Sequence, residues 1–90
     1  MSDVYRPQGP LTLDTVRRQL GALDGLSSQG EVVVDLSGVT EADSSAVALL
    51  LAWTRNVAAG GRMLKLVSVP NGLQRLIAVY GLAELLPQAE

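Results

Sequence analysis

The chain has 90 residues, the length of one small domain over residues 1–90, and 48% of them are hydrophobic although only 3% are aromatic. Its formal net charge is −2 and it contains neither His nor Cys, so disulfides, cysteine- or histidine-based zinc sites and His-dependent catalysis are excluded. The sequence has no Lys/Arg cluster, which argues against nucleic acid as a partner and against binding of anionic lipid by charge. No apolar run is long enough to cross a bilayer and no secretory leader opens the sequence, so we expect neither secretion nor membrane insertion.

Residues 1–9 predict a short N-terminal strand or arm. Val4, Tyr5 and Arg6 suit a strand, and Pro7 confines it to a sheet edge or a terminus because proline cannot donate a ladder hydrogen bond. A short edge strand leaves backbone N–H and C=O groups unpaired, and such groups recruit further strands. We therefore expect the free domain to be prone to forming a weak homodimer.

The next segment predicts an amphipathic surface helix that ends near residues 25–26. Its apolar positions recur at helical spacing: Leu13, Val16, Leu20 and Leu23. The side chain of Thr12 or Asp14 can cap the first turn of this helix. Residues 27–30 then form a linker to the next strand.

Residues 31–61 are the part of the sequence around which the fold is organised. The three valines at residues 32–34 are typical of a strand that is buried on both faces. A helix is predicted over residues 46–59, because small polar side chains at residues 43–45 can accept hydrogen bonds from the free N–H groups of a first helical turn. The glycine pair at residues 60–61 ends the helix, since the residue after a helix often needs a positive φ.

The predicted helix is apolar nearly all round, whereas packing against one sheet face needs only one apolar stripe. That stripe is supplied by Val47, Leu50, Leu51 and Ala58, with Val57 at its edge. Leu49, Ala52 and Trp53 then flank the stripe or face outward. The sequence allows two interpretations of these three side chains. Either neighbouring helices cover these side chains, or the helix contacts a protein partner through Leu49 and Trp53, with Trp53 as the anchor.

Residues 63–69 predict a second strand, and two strands joined by a helix imply a parallel crossover. A proline ends this strand, and Asn71 with Gln74 three residues later predicts a capping box for the last helix. The inward side chains of that helix are predicted to be Leu73, Leu76, Ile77 and Tyr80. A short turn or strand follows, and residues 87–90 are a tail. The whole pattern predicts an α/β fold with a small, mostly parallel sheet packed with helices.

The strand-to-helix loop at residues 37–45 is the candidate functional site, because partners of parallel sheets meet the carboxyl ends of the strands. Ser44 and Ser45 provide more hydroxyl groups than one helix cap requires. Ser44 is therefore either a cap alone or a contact and regulatory residue, with Ser45 beside it. A phosphate on Ser44 would add negative charge at a helix N-terminus, which the helix dipole tolerates.

Three carboxylates, those of Asp35, Glu41 and Asp43, surround the same loop. Carboxylate oxygens are ligands for Mg²⁺, but Asp35 can simply end the strand, and we favour Glu41 and Asp43 as acidic contacts for a partner. The sequence has no glycine-rich phosphate loop, and no candidate nucleophile has an evident base. We therefore predict no metal, no cofactor and no enzymatic activity.

Residues 43–51, Asp-Ser-Ser-Ala-Val-Ala-Leu-Leu-Leu, resemble the Asp-Ser-Ser/Thr-Gly-Leu signature of STAS domains, the anti-sigma-factor antagonists and their relatives in transporters. Ala46 stands where that signature usually has Gly. Residues 69–87 are similar to the small cytoplasmic STAS subunit of the Mla phospholipid-transport ABC system of Gram-negative bacteria. The resemblance covers residues 9–87 and implies the STAS fold, with the first family strand missing or vestigial. It places Ser44 where antagonist domains carry the regulated serine.

The resemblance implies a non-catalytic regulatory subunit of a phospholipid-transport ABC transporter that acts in outer-membrane lipid asymmetry. Such a subunit would lie in the cytoplasm, peripheral to the inner membrane, on the ATPase subunit of the transporter, and would contact neither ATP nor lipid. The alternative is an anti-sigma-factor antagonist in which an anti-sigma-factor kinase phosphorylates Ser44.

Overall fold

The computed structural model describes residues 3–23, 30–86 and 88–89. The predicted end of the first helix and most of the linker after it lie outside the described residues. The strands are β1 Asp3–Tyr5, β2 Gly9–Leu11, β3 Glu31–Asp35, β4 Val39–Ala42, β5 Met63–Val67 and β6 Gln88–Ala89. The helices are α1 Val16–Gln19, α2 Ser44–Ala59 and α3 Asn71–Val79.

The strands form two parallel sheets. The larger sheet has the order β1-β3-β5-β6, and β2 pairs with β4 in a separate two-stranded sheet. The parallel pairing of β3 with β5 places Val32 beside Leu64 and Val34 beside Leu66. These four side chains are buried, and they belong to one apolar cluster with α2 and α3. The predicted α/β fold with a parallel sheet is therefore confirmed.

The prediction that β3 is buried on both faces is wrong. Val32 and Val34 are fully buried, whereas Val33 between them is half-buried. Side chains alternate across a strand, so Val33 lies on the face opposite to the apolar cluster. That face also carries an ion pair between Lys65 Nζ and Glu31 Oε2, 3.0 Å apart. The valine run thus reflects β propensity at residue 33 rather than complete burial.

Helix α2 is the central helix, and it starts two residues earlier than the sequence predicted. Asp43, not Ser44 or Ser45, is the N-cap residue. At the other end Gly60 is the C-cap and Gly61 has a φ of 79°, a conformation that favours glycine, so the predicted end of the helix is confirmed. The helix contacts β5, α3 and α1. Its buried residues are Ala46, Val47, Leu49, Leu50, Trp53 and Val57.

Residues before α2 fold differently from the prediction. Two strands, β1 and β2, precede the first helix where one was predicted, and α1 has only four residues. The cause is a turn at residues 12–15: the Thr15 hydroxyl accepts from the Thr12 N–H at 2.9 Å and donates to the Pro10 carbonyl oxygen at 2.8 Å. Thr15 is the N-cap residue of α1, although its side chain makes no capping hydrogen bond, and neither Thr12 nor Asp14 caps the helix. Leu13, predicted to face the core, is 75% exposed.

Helix α3 departs from the prediction in its N-terminal cap and in one of the side chains predicted to face inward. Pro70 is its N-cap residue and no side chain caps it, so the predicted capping box of Asn71 and Gln74 does not form. The Gln74 side chain instead donates to the Val69 carbonyl oxygen at 3.4 Å. Tyr80, predicted to face inward, is 52% exposed because the helix ends at residue 79 and the chain turns there. Strand β6 lies within the predicted tail and pairs with β5.

Candidate functional site

The first turn of α2 is held by the side chain of Asp43. Its Oδ1 atom accepts a hydrogen bond from the backbone N–H of Ser45 at 2.8 Å, which is the usual geometry of a helix cap. Its Oδ2 atom accepts from the backbone N–H of Leu13 at 3.1 Å. Asp43 therefore joins the start of α2 to the turn that follows β2. We call Glu41, Asp43, Ser44 and Ser45 the α2 mouth.

The carboxylate of Asp43 is stabilised in its ionised form. Its partial burial raises the pKa, but hydrogen bonds from the N–H groups of Leu13 and Ser45 lower it by more, so the pKa of Asp43 lies below its ordinary value. Negative charge at a helix N-terminus also interacts favourably with the helix dipole. The α2 mouth therefore carries a fixed negative charge at neutral pH.

Ser44 is the first helical residue of α2 and its side chain is exposed. Because Asp43 provides the cap, the interpretation of Ser44 as a cap alone is wrong. The Ser44 hydroxyl makes no hydrogen bond with the described residues, whereas half-buried Ser45 donates its backbone N–H to Asp43. Ser44 thus presents a free hydroxyl group at the N-terminus of the central helix.

Glu41 lies beside a shallow depression between β4 and the start of α3. Its volume is about 140 Å³, and it is lined by Val39, Thr40, Glu41, Ala42, Pro70, Gly72 and Leu73. The predicted loop at residues 37–45 therefore contains a strand, β4, which pairs with β2 and positions Glu41 opposite Pro10. This pairing fixes the approach of the chain to the α2 mouth. The depression is small and broadly open, so it suits contact with a protein side chain better than enclosure of a cofactor.

Asp35 contacts Ser37 and Arg6 rather than the residues of the α2 mouth. The backbone N–H of Ser37 donates to Asp35 Oδ1 at 2.9 Å, and the Arg6 side chain lies 3.1 Å from Oδ2. The Ser37 N–H is the main cause of a lowered pKa for Asp35, with smaller contributions from the Ser37 hydroxyl and from Arg6. Within the described part of the chain no three carboxylates gather into a possible metal site. The alternative of a shared Mg²⁺ pocket for Asp35, Glu41 and Asp43 is not supported by this geometry.

Two predicted partner contacts are not at the surface. Leu49 is 1% exposed and Trp53 is fully buried, so the interpretation of Trp53 as an outward-facing anchor is wrong. The indole of Trp53 packs under β1 and α1 rather than outward, because its N–H donates to the backbone of Gln19. Residues that the sequence did not assign to the site include Leu13, whose backbone bonds to Asp43. Its place in an apparent helical repeat concealed that role.

The described residues form a small parallel α/β structure with an exposed serine in the first turn of its central helix. A family model described as "Mlab, STAS domain" matches residues 4–87. The chain therefore belongs to the STAS-domain family. STAS domains are generally non-catalytic and mediate protein–protein interactions.

Several solved structures are similar to the chain in fold. A sulfate transporter family protein from Wolinella succinogenes has 21% sequence identity and a TM-score of 0.78, with 94% of this chain and 70% of that chain covered. A Thermotoga maritima protein assigned as an anti-sigma factor antagonist has 15% identity and a TM-score of 0.80, with 97% and 77% covered. The anti-sigma factor antagonist SpoIIAA in its unphosphorylated form has 20% identity and a TM-score of 0.73, with 99% and 80% covered.

Among curated proteins, none shows significant sequence similarity to the chain. At the identities of the solved structures the likeness concerns the fold. Within residues 3–23, 30–86 and 88–89, no helix combines the length and the apolar character that a membrane crossing requires.

Proposed function

We propose that this STAS domain is a non-catalytic regulatory subunit of a phospholipid-transport ABC transporter of the Mla type, which acts in outer-membrane lipid asymmetry. In this proposal the domain docks on the ATPase subunit through the α2 mouth and supports the assembly or activity of that subunit. It is cytoplasmic and peripheral to the inner membrane through this partner. It contacts neither ATP nor lipid.

The observation that carries the proposal is the free hydroxyl of Ser44 in a chain whose residues 4–87 match a family model described as "Mlab, STAS domain". Asp43 already satisfies the cap, so Ser44 is not needed for the helix. A small exposed hydroxyl beside a fixed carboxylate lets a partner approach the start of α2 closely. Glu41 and the adjacent depression extend the same contact surface.

Co-purification tests this proposal directly. The chain is co-expressed with an affinity-tagged ATPase subunit of the phospholipid transporter from the same organism. We expect both proteins to elute together in a fixed ratio, and the reconstituted transporter to hydrolyse ATP faster with the domain than without it. An ATPase subunit that elutes alone, with unchanged hydrolysis when the domain is added, would contradict the proposal.

A second candidate function is that of an anti-sigma-factor antagonist regulated by phosphorylation of Ser44. Two observations favour it: the likeness in fold to antagonist structures and the exposure of Ser44 at a helix N-terminus, where a phosphate group is tolerated. In this function the partner is an anti-sigma-factor kinase, and a phosphate would change the charge of the docking surface without disturbing the fold.

Phosphorylation and partner identity separate the two candidates. The domain is incubated with ATP and the organism's anti-sigma-factor kinases, and the product is analysed by intact-mass spectrometry with Ser44→Ala as the control. A mass increase of one phosphate group that the control variant lacks favours the antagonist. No modification, together with a stable complex with the ATPase subunit, favours the transporter subunit.

A further inference from the structure

A groove runs along α1, on the side of the turn that bonds to the α2 mouth. It is lined by Leu13, Asp14, Arg17 and Arg18 and has a volume of about 520 Å³. We call these four residues the α1 groove. Leu13 is the apolar part of this surface and is 75% exposed. The groove therefore combines an exposed apolar side chain with a pair of arginines.

The two arginines are available to a partner. Arg17 and Arg18 are exposed, and neither forms an ion pair or a hydrogen bond with the described residues. Asp14 carries the opposite charge at the same groove, so the three charged residues leave a surplus of one positive charge. A local positive surplus contrasts with the overall charge of −2. The two arginines are thus complementary to carboxylates of a segment that also carries an apolar side chain.

Arg18 also lines a second depression of about 380 Å³, together with Gln8, Pro10, Thr15 and Gln19. The two depressions share this arginine, so an extended segment can cross from one to the other. The α1 groove is also continuous with the candidate site, because the backbone N–H of Leu13 donates to Asp43. Leu13 therefore lies near the α2 mouth, since Asp43 directly precedes Ser44 in the chain.

We propose that the α1 groove binds an acidic segment of the protein partner, with one apolar side chain of that segment against Leu13 and its carboxylates against Arg17 and Arg18. This inference rests on the proposed function, because the partner is the subunit that docks at the α2 mouth. An anionic membrane is the weaker candidate, since surfaces that bind anionic lipid carry about four to eight basic residues and the groove has two. Arg18 and its neighbours also form depressions, which favour a peptide over a flat bilayer.

Charge variants of the groove test the inference in the complex. We compare the wild-type domain, a double variant Arg17→Glu/Arg18→Glu, a milder pair Arg17→Gln/Arg18→Gln, and Asp14→Asn. Arg75→Glu is the matched control, because Arg75 is exposed on α3 and lies outside the groove. Circular dichroism checks that each variant is folded. Affinity for the ATPase subunit is measured by biolayer interferometry at low and at physiological salt.

We expect the double Glu variant to bind about tenfold or more weakly than wild type, the Gln pair to lie between them, and Arg75→Glu to stay within about twofold. Asp14→Asn should bind more tightly, since it removes the opposing charge, and the differences should shrink as salt is added. Equal affinity of the wild type and the folded double Glu variant for the ATPase subunit would overturn the inference while leaving the proposed function intact.

A second measurement does not depend on the ATPase subunit. The ¹⁵N-labelled domain is titrated with a blocked peptide Glu-Glu-Leu-Leu-Glu-Glu, with Lys in place of Glu as the control, and with vesicles of phosphatidylglycerol and phosphatidylethanolamine. We expect amide shifts at Leu13, Arg17 and Arg18 with the acidic peptide alone. If the ATPase subunit does not bind wild type, the proposed function fails, and these shifts still decide the inference. Equal shifts with the Lys peptide, no shifts at all, or selective binding to the vesicles would overturn it.

Discussion

The indole N–H of Trp53 donates a hydrogen bond to the backbone carbonyl oxygen of Gln19 across 2.9 Å. The side-chain oxygen of the same glutamine accepts from the hydroxyl group of Tyr5 at 2.6 Å. The rings of Tyr5 and Trp53 meet edge to face, with their centroids 5.9 Å apart. Gln19 thus joins β1, α1 and α2. A four-residue helix is too short to be stable alone, so these bonds set the position of α1 and with it the α1 groove.

Substitution of Trp53 should show how much this junction contributes. In Trp53→Phe the ring is kept in part, but the carbonyl oxygen of Gln19 loses its donor inside a largely apolar region, which costs about 1–3 kcal/mol. Trp53→Ala should cost about 3–5 kcal/mol because it also leaves a cavity. Urea unfolding followed by circular dichroism gives both values.

Two further variants serve as controls for this prediction. Tyr5→Phe removes a half-buried hydroxyl and should cost about 0.5–1.5 kcal/mol. Tyr80→Phe changes an exposed tyrosine and should stay within about 0.5 kcal/mol of wild type. If Trp53→Phe unfolds at the same urea concentration as wild type, the hydrogen bond to Gln19 does not stabilise the fold.

Asp43 should make the stability of the domain depend on pH. Its pKa is lowered in the folded state, so its contribution is complete above the ordinary Asp pKa and is lost as pH falls through the lowered value. Asp43→Asn keeps one side-chain oxygen, which can accept from the Ser45 N–H. The amide nitrogen that replaces the other oxygen cannot accept from the Leu13 N–H, so that hydrogen bond is lost. We expect a lower melting temperature for Asp43→Asn than for wild type at pH 7, and a difference that shrinks steadily toward pH 2.

Asp14→Asn is the control for the loss of one negative charge, because Asp14 is exposed and makes no hydrogen bond or ion pair with the described residues. At pH 7 its melting temperature should lie close to that of wild type. Asp35 also has a lowered pKa, so it contributes to stability in the same pH range in wild type and in both variants. The effect of Asp43 is therefore measured as the difference in melting temperature between Asp43→Asn and wild type at each pH. A constant gap between Asp43→Asn and wild type from pH 7 to pH 2 would show that the charge of Asp43 is not involved.

Sequence patterns predicted the main parallel pairing and α2 because both depend on local signals. Three valines favour a strand, small polar residues favour a helix start, and Gly61 permits the positive φ that ends the helix. These signals do not depend on which neighbours the element meets. The position of the candidate site at the start of α2 followed from the same signals.

The same patterns failed where tertiary contacts decide the outcome. Leu13 fits a helical repeat, yet the hydrogen bonds of Thr15 fold residues 12–15 into a turn and leave Leu13 exposed. Trp53 was a candidate for an exposed anchor because its cover, Tyr5 and Gln19, comes from distant parts of the chain. Ser44 and Asp43 are equally good caps by residue type, and the bond to the Leu13 N–H, which comes from a distant part of the chain, favours Asp43.

Substitutions of Ser44 should separate docking from folding. Ser44→Glu is expected to keep or slightly raise stability, by about 0.3–1 kcal/mol, because negative charge is favoured in the first turn of a helix. Ser44→Arg should be folded and slightly less stable. Both should bind the ATPase subunit far more weakly, since a surface that closes over a small hydroxyl does not accommodate a long charged side chain. Melting curves and the yield of co-purified partner measure the two effects.

Ser44→Ala tests the assignment of the cap to Asp43, and its stability should lie within about 0.5 kcal/mol of wild type. Asn56→Glu introduces the same charge at an exposed position farther along α2 and should leave partner binding unchanged. Partner yields that stay at the wild-type level for both Ser44→Glu and Ser44→Arg would remove Ser44 from the docking surface.

The free domain is expected to self-associate through β1. Strand β1 lies at one edge of the larger sheet, so the backbone groups on its outer side can pair with a second copy of the chain. The side chain of Val4 in this strand is 48% exposed. The competing interface on α2 is weakened, because Leu49 and Trp53 are buried. We expect light scattering at high micromolar concentration to show a weak dimer that Val4→Lys abolishes.

The variant Val4→Lys keeps the Tyr5 bond to Gln19, which deletion of residues 1–6 would remove. Val79→Lys, at a valine that is 79% exposed on α3, should still dimerise. A monomer mass for wild type at every concentration would refute the prediction, and loss of the dimer only in Val79→Lys would move the contact to α3.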